Sequence, residues 1–117
     1  MAVLPAGALI CAMLGPARTM MIEHLVLFKL KPEATAAQID TMITQLQGLA
    51  QQIDTVRELS CGRNFSPRGE GFAVGLRVKF DDRAGLEFYG PHDAHQSCVA
   101  TYIKPIMDSV VVVDFEA

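Results

Sequence analysis

Hydrophobic positions change period several times along this 117-residue chain, and each change marks an element. The run "IEHLVLFKL" (Ile22–Leu30) is apolar at both parities, with Ile22, Val26, Phe28 and Leu30 on one face and Leu25 and Leu27 on the other. A strand apolar on both faces belongs to the middle of a covered sheet, and Lys31-Pro32 turns the chain after it. His24 shares the face of Val26 and Phe28. In "TAAQIDTMITQLQGLAQQI" the period becomes helical. Ile39, Met42, Ile43, Leu46 and Leu49 or Ala50 form one stripe, and Thr35 with Gln38 supplies a capping box.

"TVRELSCGRNF" and "FAVGLRVKF" are strand-like runs joined by the turn-rich "SPRGEG", which predicts a hairpin. In the second run Phe72, Val74, Leu76, Val78 and Phe80 alternate with Ala73, Gly75, Arg77 and Lys79. "DDRAGLEFYG" predicts a short helix capped by the aspartates and stopped at Gly90-Pro91. A further helix is expected from Asp93 to Lys104, where Pro105 ends or kinks it. "SVVVVDFEA" is the last strand, its four valines expected to be buried on both sides.

The order β-α-β-β-α-β predicts an α+β, ferredoxin-like fold, an antiparallel four-stranded sheet with helices on one face. Two helical segments leave the other face bare. Since the first and last strands are apolar on both sides, the bare face needs a protein partner, and a second copy is the simplest. A homodimer through the helix-free sheet face is expected.

Composition narrows this further. With 50% hydrophobic and 20% charged residues the chain is globular, and a formal charge of −3 offers no basic field to nucleic acid or to an anionic membrane. Arg63 and Arg68 flank one loop and read as solvated decoration. Cys11, Cys61 and Cys98 cannot all pair and form no C-x-x-C, which fits free thiols in a reducing, cytoplasmic setting. Residues 1–20 are set apart as an N-terminal extension, leaving a domain over 21–117. Their apolar run has signal-peptide length, but Arg18 follows it rather than preceding it, and Pro5, Gly7 and Gly15 interrupt it. An upstream translation start is the first reading and a cleaved export signal the second.

The candidate chemistry lies in "YGPHDAHQSC" (Tyr89–Cys98). Asp93 with Gln96 reads as a second capping box, making Asp93 the helix cap. His95 then falls in the first turn and opens the inward stripe His95, Val99, Tyr102, Ile106. The helix dipole there favours a neutral imidazole. Tyr89 is expected to reach the same space, which would make the two an acid/base pair; the plain alternative is a structural histidine whose polar atoms are satisfied by the fold. His92 is expected to be exposed. His92, Asp93 and His95 lack a third ligand of fixed geometry within one element, so no metal is expected. No phosphate-binding or dinucleotide-binding glycine loop occurs, nor a G-x-S-x-G, and no cofactor is expected.

Taken together, "HLVLFKLKP", "GRNFS", "YGPHDAHQ", "YIKP" and "VVVVDFE" resemble the stress-responsive dimeric α+β barrel family over roughly residues 22–115. The resemblance implies small ferredoxin-like subunits whose sheets pack face to face. One plant branch, the polyketide (olivetolic acid) cyclases, performs a cofactor-free aldol condensation. Its catalytic Tyr and His match Tyr89 and His95, its first-strand His matches His24, and its last-strand Asp, which holds the catalytic His, matches Asp114. A pocket His of that branch corresponds here to Val74. The resemblance thus implies a small-molecule pocket at Tyr89, His95 and His24, with Asp114 orienting His95 and with cyclase- or isomerase-like acid/base activity. The other reading is a non-enzymatic, stress-related structural dimer.

Overall fold

The computed structural model describes residues 20–117. Its elements are β1 (Ile22–Leu30), α1 (Ala36–Gln52), β2 (Val56–Arg63), β3 (Val74–Phe80), α2 (Arg83–Tyr89), α3 (Asp93–Cys98), a π-helical turn (Val99–Ile103) and β4 (Met107–Glu116). The strands form one antiparallel sheet in the order β2-β3-β1-β4, the expected ferredoxin-like α+β arrangement. The N-terminal extension expected over residues 1–20 lies, Met20 apart, outside the described residues.

The capping box forms as the sequence predicts. Thr35 Oγ1 accepts from the Gln38 N–H at 3.1 Å, and Gln38 Oε1 accepts from the Thr35 N–H at 2.9 Å. From that start α1 buries Met42, Leu46 and Leu49. They meet Val26 and Phe28 of β1 and the alternating Val74, Leu76, Val78 and Phe80 of β3, all buried. Register explains the shared faces: Val26 lies opposite Leu76 on one side and Val112 on the other. Residues paired across antiparallel strands project to the same side.

The opposite parity forms the helix-free face. On its β1–β4 side Leu25 pairs with Val113 and Leu27 with Val111. Its β2–β3 side is charged. Arg77 is bidentate to Glu23 at 2.8 and 3.1 Å and also reaches Glu58 at 3.1 Å.

Three expectations need correction. The cap of α3 is His92, half-buried, whose Nδ1 accepts from the Ala94 N–H at 3.0 Å, whereas Asp93 is the first helical residue. Gln96 does not complete a box either; its amide donates to the Gly90 carbonyl. The reason is local. His92 itself has non-helical geometry, φ −58° and ψ 138°, and an imidazole nitrogen can do a hydroxyl's work as acceptor.

The helix expected to reach Lys104 instead loosens into a π-helical turn from Val99, with the Lys104 N–H bonding to the Val99 carbonyl. The four valines of β4 are not buried within the protomer. Val110, Val111, Val112 and Val113 are 40%, 43%, 49% and 50% exposed. β4 is an edge strand, and the packing of α1 and α2 on the sheet falls on β1, β2 and β3.

Candidate functional site

A cavity of about 220 Å³ lies between the helical layer and the sheet. Val26, Phe28 and Leu76 floor it, Leu46, Val99 and Ile103 roof it, and Val110 and Val112 of β4 stand at its side. Its polar groups are His24, Tyr89 and His95, so the fold brings together the three residues singled out from the sequence. A larger cleft of about 410 Å³ between α1 and α3 is more open, and no histidine lines it.

Tyr89 is the hub. It ends α2, is 1% exposed, and packs its ring 4.4 Å from His95, 5.9 Å from His24 and 5.2 Å from Phe80, centroid to centroid. Its hydroxyl is buried without a hydrogen-bond partner among the described residues. Burial pushes its pKa well above the ordinary tyrosine value, so the group stays a protonated O–H.

His95 Nδ1 lies 2.8 Å from the Gly90 carbonyl. A carbonyl only accepts, so Nδ1 carries the proton and the neutral ring keeps a lone pair on Nε2. Burial pulls the His95 pKa down; the Gly90 hydrogen bond opposes that, and the nearby His24 and His92 add to the lowering. Burial, more than the helix start, is what favours the neutral ring.

Asp114 does not orient His95. It pairs with His24 Nδ1 across the β1–β4 ladder, where the two residues lie directly opposite. The His24 side chain is only 12% exposed. Its Nδ1 is thus committed to a carboxylate and its Nε2 is the free nitrogen. Val74, which stands where the cyclase branch has a histidine, is buried in the core and does not line the cavity.

Sequence reasoning missed two contributors. Phe80 backs the Tyr89 ring from β3. His92 fixes the start of α3 while its ring packs edge-on 5.4 Å from Phe88. Among the described residues, no group of three or more His, Cys, Asp or Glu side chains converges to hold a metal ion. Among them, too, no helix is long and apolar enough to cross a membrane, and Cys61 and Cys98 are unpaired.

A family model for the Stress responsive A/B Barrel Domain matches residues 22–117. A stress-response A/B barrel domain-containing protein of Arabidopsis thaliana is 31% identical over 101 residues, which make up 86% of this chain and 38% of that protein. The chain thus spans well under half the length of that relative. A second such Arabidopsis protein is 26% identical over 96 residues, 80% of this chain and 83% of its own. A dimeric, ferredoxin-like protein of unknown function from Bacteroides fragilis has a TM-score of 0.73 at 26% identity, covering 83% of this chain and 96% of its own. The hydroxynitrile lyase of Passiflora edulis reaches a TM-score of 0.76 at 19% identity, covering 85% and 94%, a likeness of fold alone. With residues 22–117 matched by that family model, the chain belongs to the stress-responsive A/B barrel domain family.

Proposed function

We propose that this chain forms a homodimer whose subunits each bind a small, mainly apolar molecule between sheet and helices. The site then performs cofactor-free acid/base chemistry, cyclase- or isomerase-like, with Tyr89 and His95 as the acting pair and His24 and Asp114 in support. The observation that carries the reading is the Tyr89 hydroxyl, buried beside an apolar cavity with no partner among the described residues. Leaving a polar group buried and unpaired costs about 1–3 kcal/mol. A carbonyl or hydroxyl oxygen on a ligand would offset that cost.

The chemistry follows from the protonation states. The tyrosine O–H donates to a carbonyl oxygen and polarises it. The lone pair on His95 Nε2 takes a proton from the adjacent carbon and returns it at the new position. A purely structural dimer is the second reading. It is favoured by the fact that both imidazoles already have partners, Gly90 and Asp114. Only the tyrosine hydroxyl separates the two.

The dimer reading rests on the exposed apolar residues Leu27, Val111, Val113 and Phe115, at the parity facing away from the helices, and on the dimeric relatives of the same fold. The domain is taken as residues 21–117, and the unpaired Cys61 and Cys98 support a reducing, cytoplasmic setting.

The test uses 2-naphthol, a neutral fluorescent phenol, together with native mass spectrometry of freshly purified protein for a retained small molecule. His95→Gln should keep the melting temperature within a few degrees and weaken 2-naphthol binding about tenfold, the equivalent of one good hydrogen bond. A large loss of stability in that variant, with no binding by the unaltered protein, would leave the structural reading standing.

A further inference from the structure

The sheet has two edge strands, and they are built in opposite ways. β2 is blunted against pairing. It carries Arg57, Glu58 and Arg63, two of them in ion pairs with Asp81 and Asp40, and its register shifts between Val56 and Glu58. Charges and bulges are how a sheet keeps an edge solitary. β4 carries no charge at all from Ser109 to Val113. Its four valines are exposed to nearly the same degree, 40% to 50%, at both parities.

A strand that merely formed one wall of a face-to-face contact would need an apolar outer face only. Here Val111 and Val113 are apolar outward, opposite Leu27 and Leu25, and Val110 and Val112 are equally apolar on the cavity side, opposite Phe28 and Val26. The apolar surface therefore continues around the free edge of β4 and into the wall of the cavity. Among the described residues, the main packing of the helices on the sheet falls on β1, β2 and β3 and not on β4. Water reaches Val110 and Val112, and with them the side of the cavity they form.

We propose that a second copy of this chain wraps the free edge of β4 and covers Val110 and Val112, so that the cavity at His24, Tyr89 and His95 is complete only in the dimer. The inference rests on the dimer reading above and adds to it that the partner is part of the binding site. A second copy fits better than an unrelated protein for two reasons. The surface is continuous with the outer apolar face of β1 and β4, and between Ser109 and Asp114 it offers no charge by which another partner would be selected. The Bacteroides fragilis relative with the same fold is itself described as dimeric. Ligand sites of this kind bury most of the ligand surface, which an open β4 side would prevent.

Two measurements test this. In the first, Val112→Cys is reacted with iodoacetamide, and peptide mass spectrometry compares the introduced thiol with that of Phe65→Cys. Phe65 is 98% exposed and serves as the reference for a free surface. The thiol at position 112 should react at least about tenfold more slowly, as expected for a group sealed from solvent. Reaction at the reference rate would overturn the proposal. In the second, Val113→Glu places a charge on the face away from the cavity and should yield a monomer. If that monomer is folded by circular dichroism, it should lose 2-naphthol binding although no cavity residue has changed. A folded monomer that binds as tightly as the dimer would also overturn the proposal. Should Val113→Glu fail to fold, the labelling comparison decides alone. If the unaltered protein binds no 2-naphthol, the ligand reading falls, while slow labelling still shows the edge to be wrapped.

Discussion

Tyr89 inverts the usual relation between a buried group and stability. Its hydroxyl has no partner among the described residues, so removing it removes a cost and leaves the ring packing against His95 and Phe80 in place. Tyr89→Phe should therefore be neutral or stabilising by up to about 1 kcal/mol, while 2-naphthol binding weakens. Thermal unfolding and a binding titration on the same sample check both halves. A clear loss of stability would mean that the hydroxyl is satisfied within the protein. His95 gives a pH signature of its own. Its folded pKa lies below the ordinary value of 6.5, so above that pH the ring is neutral folded and unfolded and costs nothing. As the pH falls below 6.5 the unfolded chain takes up the proton first, and stability drops until the folded ring is protonated as well. His95→Gln should lose that part of the acid dependence. Melting curves between neutral pH and the onset of general acid unfolding should be flatter for the variant, and identical slopes would contradict the buried neutral ring. The role of His92 could not be read in the same way. Asp beside Gln three residues on is the commoner cap signature, and only the geometry after Pro91 gives the task to the imidazole.

At the scale of elements, the features legible in the sequence are those decided by neighbours along the chain. α1 is one. Its capping box and its Met42, Leu46 and Leu49 stripe are local, and the structure keeps both. Thr35→Ala should cost about 1 kcal/mol, since it orphans the Gln38 N–H at the helix start; chemical denaturation with an unchanged slope measures it. A loss below a few tenths would place the stabilisation of α1 in its packing alone. The alternation of β3 is equally local, and Val74 through Phe80 are buried at every second position. The π-helical turn is different. Nothing in "VATYI" distinguishes an α from a π hydrogen-bond pattern by propensity; the π-turn ends at Lys104, immediately before Pro105. It matters to the site, because Val99 and Ile103, the ends of that turn, both line the cavity. π-turns of this sort recur at functional sites. The exchange of Asp114 from His95 to His24 belongs to the same scale. A strand register, not a residue type, decides which histidine the carboxylate meets.

For the molecule as a whole, the apolar pattern of β4 calls for cover on both faces without saying by what. The chain alone supplies helices for β1, β2 and β3, and the remainder is left to the dimer proposed above. The lower limit of the folded unit can be argued from the ladder itself. Met21 and Ala117 close the β1–β4 pairing with reciprocal backbone bonds, 3.0 Å from the Met21 N–H to the Ala117 carbonyl and 2.9 Å in return. Ile22, 3% exposed, is the first residue of the hydrophobic core. A chain beginning at Met21 therefore keeps every backbone bond of the sheet and every core side chain among the described residues. Such a chain should melt within a few degrees of the full-length protein, sediment with the same stoichiometry and bind 2-naphthol with the same affinity. Exposed and terminal changes away from buried contacts usually move stability by no more than about 0.5 kcal/mol. The comparison discriminates sharply, because the three readouts fail differently. A drop in melting temperature alone would mean that residues 1–20 pack on the core. A change in stoichiometry with unchanged melting would place them at the subunit contact. Loss of 2-naphthol with the dimer intact would place them at the cavity. Only the joint persistence of all three supports a domain that starts at Met21.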